Sequence, residues 1–417
     1  MSKLGRSIMS LIDQAARLSE PGLGVTRLFL SDQHRQTVEA VRGWMRDAGM
    51  ETKLDDAGTL VGRVPGPSPH SPVLIVGSHI DSVRHGGKFD GMLGVLLPIV
   101  CLRHLRSRGA SLPFAIEIAA FGDEEGVRFP TTLLGSRAFA GLVSNEDLDV
   151  TDEAGISLRE ALERFGCQPA AIPSIARDPS RVLGFVEVHI EQGPVLEAVG
   201  QPVGSVTAIT GIERHALTFR GRAGHAGATP MTARKDALVG AAEFIVEVDR
   251  LCRSTENLVG TVGRILTAPN SINVIPETAH LGLELRSPNR ETRHGARKEL
   301  RKSAESIARA RGLRLEFDLK YEQQGIECAP RIIQAFSSAI GRCGYDPVQL
   351  SSGAGHDGLA MGSLCDVGML FVRCRNGLSH TPDESVMEGD IDAAAAVLLD
   401  FLANLSTEYL ERERRRE

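Results

Sequence analysis

Four apolar runs in this chain each end in a cluster of polar, charged or glycine residues, and that pattern constrains the fold more than any other feature. Residues 73–77 (VLIVG) lead into Ser78-His79-Ile80-Asp81, and residues 114–121 lead into Gly122-Asp123-Glu124-Glu125-Gly126. Residues 182–188 lead into His189-Ile190-Glu191-Gln192-Gly193. Residues 367–372 lead, through 373–377, into Leu378-Ser379-His380. A short, continuous apolar run bounded in this way reads as a buried strand. Helical patterns lie between the runs, as at 31–48 and 91–106. Strands alternating with helices predict an α/β sheet with covered faces. Ligands in such sheets bind at the carboxyl ends of the strands, so the four clusters are expected to converge on one site.

The pattern changes between about 208 and 325. Strand-like segments at 215–220, 258–266, 279–286 and 313–319 are mixed with helical segments at 232–253 and 290–310. Two helices with about four strands make a compact α+β unit of the ferredoxin-like kind. The expected organisation is a larger domain in two parts, 1–207 and 326–417, split by an inserted domain at 208–325. The proline-rich stretch 65–72 reads as a loop, because proline has no N–H to give and a fixed φ.

Composition excludes several classes of protein. With 42% hydrophobic and 24% charged residues, the chain is not disordered. Its 47 basic residues are outnumbered by 53 acidic ones, so no nucleic-acid partner is expected. The short basic run at 412–416 is diluted by Glu411, Glu413 and Glu417 and reads as a solvated helix end. The longest apolar run, 92–102, falls well short of the roughly 20 residues of a membrane span. Residues 8–12 are too few and too polar for a signal-peptide core. No membrane association and a cytoplasmic location are expected. The seven cysteines are scattered without CxxC pairs, which argues against a disulfide framework and against a thiolate zinc site.

The strand-end clusters carry the chemistry. His79-x-Asp81 offers an imidazole with a carboxylate to hold its second ring nitrogen. Asp90 lies between glycines, which allow a tight turn and close approach to a neighbour; it also fits a turn or a helix cap. The Glu124-Glu125 pair fits either a solvated loop or a division of labour in which one carboxylate binds metal and the other takes a proton from water. His189 and His380, each taken alone, read as satisfied structural histidines. Together, His79, Asp90, Glu125, His189 and His380 form a nitrogen-and-oxygen donor set suited to two borderline divalent ions sharing one carboxylate, with zinc or manganese the fitting metals. The spacing Gly353-x-Gly-x-x-Gly358 matches a dinucleotide fingerprint but opens no early βαβ unit.

The segments GSHIDSV, GGKFDGMLGVL, DEEGVRFP, GSRAFAG, HIEQGPVLE, GHAGATPM, NVIP, SGAGHDG and GLSHTPDE follow one another in order. As an ordered set, spanning about 24–384, they resemble the amidohydrolases of N-carbamoyl-L-amino acids and allantoate. That family belongs to the dinuclear metallopeptidase group with aminoacylases and carboxypeptidases. His189 carries much weight, because the peptidase relatives usually have a carboxylate there. The resemblance implies a mixed-sheet α/β catalytic domain with an inserted α+β, ferredoxin-like domain serving as lid and homodimer interface. It implies that His79, Asp90, Glu125, His189 and His380 hold two divalent metals, with Asp90 bridging and with cobalt or nickel able to substitute. Glu124 is then the general base and later the acid, and Asp81 orients His79. His225 stabilises the oxyanion, reaching into the partner subunit's site. Asn273 and Arg286 bind the substrate carboxylate, a role that suits the planar fork of arginine. Gln192 and the backbone at Gly355 line the pocket. His356 and Asp357 fit either an orienting pair or a helix cap, and His215 reads as a strand-surface residue.

The implied reaction is hydrolysis of the carbamoyl C–N bond of a linear ureido acid, with an N-carbamoyl-L-amino acid the leading substrate. Allantoate and N-carbamoyl-β-alanine are alternatives within the branch. Aminoacylase or dipeptidase activity is a more distant rival, against which His189 counts. A non-catalytic scaffold is the rival from another class, and the complete ligand set with Glu124 counts against it. Gly358 and residues 373–376 depart from the pattern of relatives without touching a proposed ligand, so they bear on the substrate rather than on the chemistry.

Overall fold

The structure, a computed structural model, describes the backbone of residues 4–416 and the side chains of residues 4–405. Two compact units are present: Met1–Thr207 with Glu327–Glu417, and Ala208–Ile326. In chain order the first unit contributes strands β1 (Glu51–Leu54), β2 (Leu60–Val64), β3 (Val73–His79), β4 (Ala115–Phe121), β5 (Val182–Ile190) and β6 (Val203–Ile209). The second contributes β7 (Gly211–Arg220), β8 (Gly224–His225), β9 (Val259–Ala268), β10 (Val274–Ile275), β11 (Thr278–Ser287) and β12 (Arg314–Gln323). Strands β13 (Ile326–Glu327), β14 (Val348–Ser352) and β15 (Val367–Val372) complete the first sheet.

Among the described residues, the first unit's sheet runs in the order β1-β2-β4-β3-β5-β15-β6-β13, with β14 paired to β6. The central four, β4-β3-β5-β15, are parallel, and β2 and β6 flank them antiparallel. The fold is therefore α/β with a mixed sheet. All seven positions of β3 and of β4 are buried, as expected for parallel strands covered on both faces. In register, His79 lies opposite Phe121, and His189 opposite Phe371. The carboxyl ends of β3, β4, β5 and β15 thus lie along one edge, which brings the four polar clusters together.

The apolar run 92–102 is the buried part of the helix Met92–Ser107. Gly94 lets this helix approach the sheet closely, since a Cβ there would lie 2.3 Å from the Val188 carbonyl oxygen. No helix among the described residues is long and apolar enough to cross a membrane. The basic run 412–416 falls in the helix Glu388–Arg416, but its side chains lie outside the described residues.

The second unit has one four-stranded antiparallel sheet, β12-β7-β11-β9, and the short ladder β10-β8. Ala279, Leu281, Leu283 and Leu285 alternate inward along β11 and pack with Leu217 and Phe219 against the helices Ala237–Ser254 and Arg290–Arg311. Burying each leucine or phenylalanine contributes about 1.5–3 kcal/mol. The first of these helices starts at 237 rather than 232, because Asp236 is the cap: its side chain accepts from the Leu238 and Val239 N–H groups. Residues Met231–Ala233 form a separate short turn after Pro230.

The reading of His215 as a surface residue is corrected. It is 3% exposed, bonds to Glu213 Oε2 at 3.1 Å and packs on Phe317. Strand periodicity explains this, since 215, 217 and 219 share the face that meets the core while Arg214 points outward.

Candidate metal centre

His79 is the last residue of β3, and its side chain is almost wholly buried. Its Nδ1 lies 3.0 Å from the backbone carbonyl of Asp81. A carbonyl only accepts, so Nδ1 carries the proton and Nε2 presents a lone pair. The Asp81 carboxylate is 3.7 Å from the ring and does other work. It accepts the backbone N–H groups of Glu124 and Glu125, both at 3.2 Å, and so pins the loop after β4. Asp81 therefore orients His79 through its main chain rather than its side chain.

His189 follows the same logic on β5. Its Nδ1 donates to the Ile190 carbonyl at 2.9 Å, and its Nε2 accepts the Gly91 N–H at 3.3 Å. His356 packs edge-on against the His189 ring at 4.4 Å and is held by Ser352 Oγ at 2.7 Å. That contact makes His356 an orienting neighbour of His189. Asp357 begins the helix Gly358–Met361 without a side-chain cap bond, and burial raises its carboxyl to about 8.

Asp90 stands between the histidines. Its Oδ1 is 3.1 Å from His189 Nε2 and 3.4 Å from His79 Nε2, while its Oδ2 is 3.2 Å from His380 Nε2. His380 Nε2 is also 3.8 Å from Glu125 Oε1. Two triads result, His79–Asp90–His189 and Asp90–Glu125–His380, and in each the ligand atoms lie within 4.8 Å of one another. They share Asp90, with one oxygen turned to each. Glu124 Oε2 lies 4.0 Å from His79 Nε2, beside the first triad.

The donor set fits divalent metal. Two imidazole lone pairs face the same carboxylate oxygen, an acceptor-against-acceptor arrangement that requires a cation between them. Protons fill that need when metal is absent. Burial lowers the His79 imidazole, but the hydrogen bond to Asp90 and the charges of Glu124 and Asp81 outweigh it and hold the ring well above its ordinary value. His380 is pushed up to about 9, chiefly by Asp90. Burial, with the charge of Asp90, lifts Glu125 to about 7. Burial, with the charges of Glu125, Asp357 and Asp81, raises Glu124 well above the usual carboxylate range. A bound cation reverses this pressure on the carboxylates.

The backbone around the site is unusual. Asp123, Gln192 and His380 have φ of 63°, 57° and 58°, in the left-handed region that non-glycine residues seldom occupy. Such conformations gather at functional sites. Gly91 also has a positive φ, 65°, and a Cβ there would lie 2.5 Å from the His79 ring.

Gln192 Nε2 donates to Asp90 Oδ2 at 2.9 Å, and its Oε1 has no hydrogen-bond partner among the described residues. Gly355 borders Glu124, whose Oε1 would lie 4.0 Å from a Cβ built on the glycine. The remaining expected residues belong to the second unit. His225 is exposed on β8, and its Nδ1 accepts the N–H groups of Gly227 and Ala228 at 3.1 and 3.2 Å. Its Nε2 is therefore the protonated nitrogen, free to donate. Asn273 is exposed beside it, with its carbonyl accepting the Ala226 N–H at 3.0 Å. Arg286 lies near the end of β11 and pairs with Glu284 at 2.7 Å. A further group, Glu213–His294–Glu322, has metal-ligand spacing, but Arg297 lies 3.4 Å from Glu213 and supplies positive charge to it.

Ser379 and Glu384 were quoted in the sequence motif without a role. Ser379 Oγ lies 3.0 Å from Asp90 Oδ2, and Glu384 accepts from the backbone of Phe89 and Asp90. Their signal was nearness to His380 in the chain.

Comparison with known proteins places this geometry in a family. The chain matches the family described as "Peptidase family M20/M25/M40" over residues 75–404. It is 42% identical to an N-carbamoyl-L-amino acid amidohydrolase of Geobacillus stearothermophilus, over 91% of this chain and 93% of that protein. It is 37% identical to an allantoate deiminase of Arabidopsis thaliana, over 94% of this chain and 80% of that one. The crystal structure of a hydantoinase/carbamoylase family amidase from Burkholderia multivorans superimposes with a TM-score of 0.89 at 31% identity, covering 95% of this chain and 97% of that one. With a family match that takes in all five candidate ligands and the adjacent Glu124, the chain belongs to the peptidase family M20/M25/M40.

Proposed function

We propose that this chain is a metal-dependent amidohydrolase that cleaves the carbamoyl C–N bond of an N-carbamoyl-L-amino acid. The observation that carries the reading is the shared carboxylate: Asp90 faces the His79–His189 pair with one oxygen and His380 with the other. The 42% identity to an N-carbamoyl-L-amino acid amidohydrolase supports the substrate. Allantoate is the second reading, favoured by the 37% identity to an allantoate deiminase.

His79, Asp90, Glu125, His189 and His380 would hold two ions, with zinc or manganese suiting their nitrogen and oxygen donors. Bound divalent metal polarises a carbonyl and acidifies water. Glu124, whose Oε2 lies 4.0 Å from His79 Nε2 beside the first triad, removes a proton from the attacking water. The new C–O bond forms at the carbamoyl carbon while its carbonyl oxygen takes up negative charge. His225 gives a hydrogen bond from Nε2 to that oxygen, an interaction worth about 3 kcal/mol in comparable sites. Glu124 then protonates the substrate nitrogen, the C–N bond breaks, and the amino acid leaves. The released carbamic acid decomposes to carbon dioxide and ammonia. Arg286 and Asn273 bind the substrate carboxylate, and Gln192 and the Gly355 backbone line the pocket.

The reading includes a homodimer formed through the inserted domain, with His225 acting in the partner's site, and a cytoplasmic location. The dimer is supported by β9, an edge strand of its sheet that exposes Val259, Ile265 and Leu266. The test is ammonia release by protein reconstituted with manganese or zinc. The panel holds N-carbamoyl-L-amino acids, their D-isomers, allantoate and N-carbamoyl-β-alanine, with N-acetyl amino acids followed by free amine. Release from an N-carbamoyl-L-amino acid that is lost in Glu124→Gln supports the reading. Release from allantoate alone selects the second reading, and cleavage of acetyl substrates alone sinks both.

A further inference from the structure

Glu384 is buried, 4% exposed, and reaches from the loop that carries His380 to the loop that carries Asp90. Its Oε1 accepts the backbone N–H of Phe89 at 2.8 Å and of Asp90 at 3.2 Å. Its Oε2 lies 2.9 Å from Ser379 Oγ, which is 3.0 Å from Asp90 Oδ2. The Glu384 N–H bonds to the Thr381 carbonyl at 3.2 Å, so the side chain projects from the turn that follows His380. Gly87 makes room for it, because a Cβ there would lie 2.1 Å from Glu384 Cδ.

A carboxylate that only stabilised its own turn would bond within that turn. This one directs an oxygen to main-chain donors 294 and 295 positions away in the chain. It grips Asp90 through the aspartate's own N–H, and the Ser379 hydroxyl, with one proton to give, stands between the two carboxylates. Both loops carry residues of the second triad.

We propose that Glu384 is a positioning residue of the metal centre. It holds Asp90 so that the two carboxylate oxygens face different triads, and it ties the His380 loop to that geometry. The inference rests on the reading of Asp90 as the shared ligand. Removing Glu384 leaves two buried N–H groups without their acceptor and frees Asp90 to rotate.

The experiment measures affinity for Zn²⁺ and Mn²⁺ by chelator competition in wild type, Glu384→Ala, Glu384→Gln and Gly87→Ala, with circular dichroism to check folding. Groups that orient metal ligands change metal affinity about 10–100-fold when removed. A loss of that size is expected in Glu384→Ala. Glu384→Gln is expected to regain most of it, because its amide oxygen still accepts from Phe89 and Asp90. Gly87→Ala keeps the carboxylate but displaces it, and is expected to lose affinity too; it carries the test if Glu384→Ala does not fold. Wild-type affinity in a folded Glu384→Ala or Gly87→Ala protein overturns the positioning role alone. Wild-type protein that binds neither ion overturns the reading of the site, and the positioning role with it.

Discussion

Asp90 Oδ1 lies 3.1 Å from His189 Nε2, the ring nitrogen that the Nδ1 bond to the Ile190 carbonyl leaves to face a cation or a proton. The Ile190 carbonyl takes the proton of Nδ1, and the Gly91 N–H points at Nε2. Two acceptors held this close need a cation between them, and the folded backbone holds them there in advance. A divalent metal bound here would therefore complete the site instead of building it.

Asp90→Asn is the direct test of the shared carboxylate. An amide replaces one oxygen with a donor, which cannot face His380 or the His79–His189 pair as an acceptor. Metal content is expected to fall, and activity to fall by at least about 100-fold. Elemental analysis after gel filtration, paired with the ammonia assay, checks both.

Glu124→Gln should separate chemistry from binding. The side chain keeps its size but cannot accept a proton. The expected result is a kcat about 10²–10⁴-fold lower, with metal content and KM close to wild type. An equal loss of metal would make Glu124 a ligand rather than the base.

Gly91→Ala should damage the centre from the backbone. The residue has φ 65°, and a Cβ would meet the His79 ring at 2.5 Å. Destabilisation of about 1–3 kcal/mol is expected from the conformation, with weaker metal binding because the ring must shift. Denaturant unfolding and chelator competition measure the two effects.

His34 gives a prediction about pH. It is buried between Phe29 and Phe165, both ring nitrogens lack a hydrogen-bond partner among the described residues, and burial lowers it to about 3. The folded ring stays neutral at pH values where the unfolded one, near 6.5, is already protonated. The unfolded state thus binds more protons between those two values, so stability is lost as pH falls from 6.5 towards 3. The slope from this residue is about 1.4 kcal/mol per pH unit. His34→Leu should remove that part of the acid sensitivity while folding normally at pH 7, as read from urea midpoints across the pH range.

Much of the site was legible in the sequence because strand ends announce themselves. An apolar run that stops at His79, at Glu124-Glu125 or at His189 marks a carboxyl end of a buried strand, and parallel strands align those ends. Main-chain roles were not legible. Asp81 was read as an orienting carboxylate, yet its carbonyl meets His79 while its side chain holds the Glu124 loop. Glu384 was also out of reach, because composition and spacing do not reveal a side chain bonded to an N–H 295 positions away. His215 was misread locally. Its alternation with Leu217 and Phe219 was available, but a histidine beside Arg214 suggested the surface.

The most direct measurement follows the carbon. An N-carbamoyl-L-amino acid labelled with ¹³C at the carbamoyl position is incubated with metal-loaded protein and watched by NMR. The ureido resonance is expected to decay into carbon dioxide and bicarbonate while unlabelled L-amino acid accumulates, and Glu124→Gln is expected to stop the conversion. A ureido signal that persists with wild-type protein carrying its full complement of metal would contradict it.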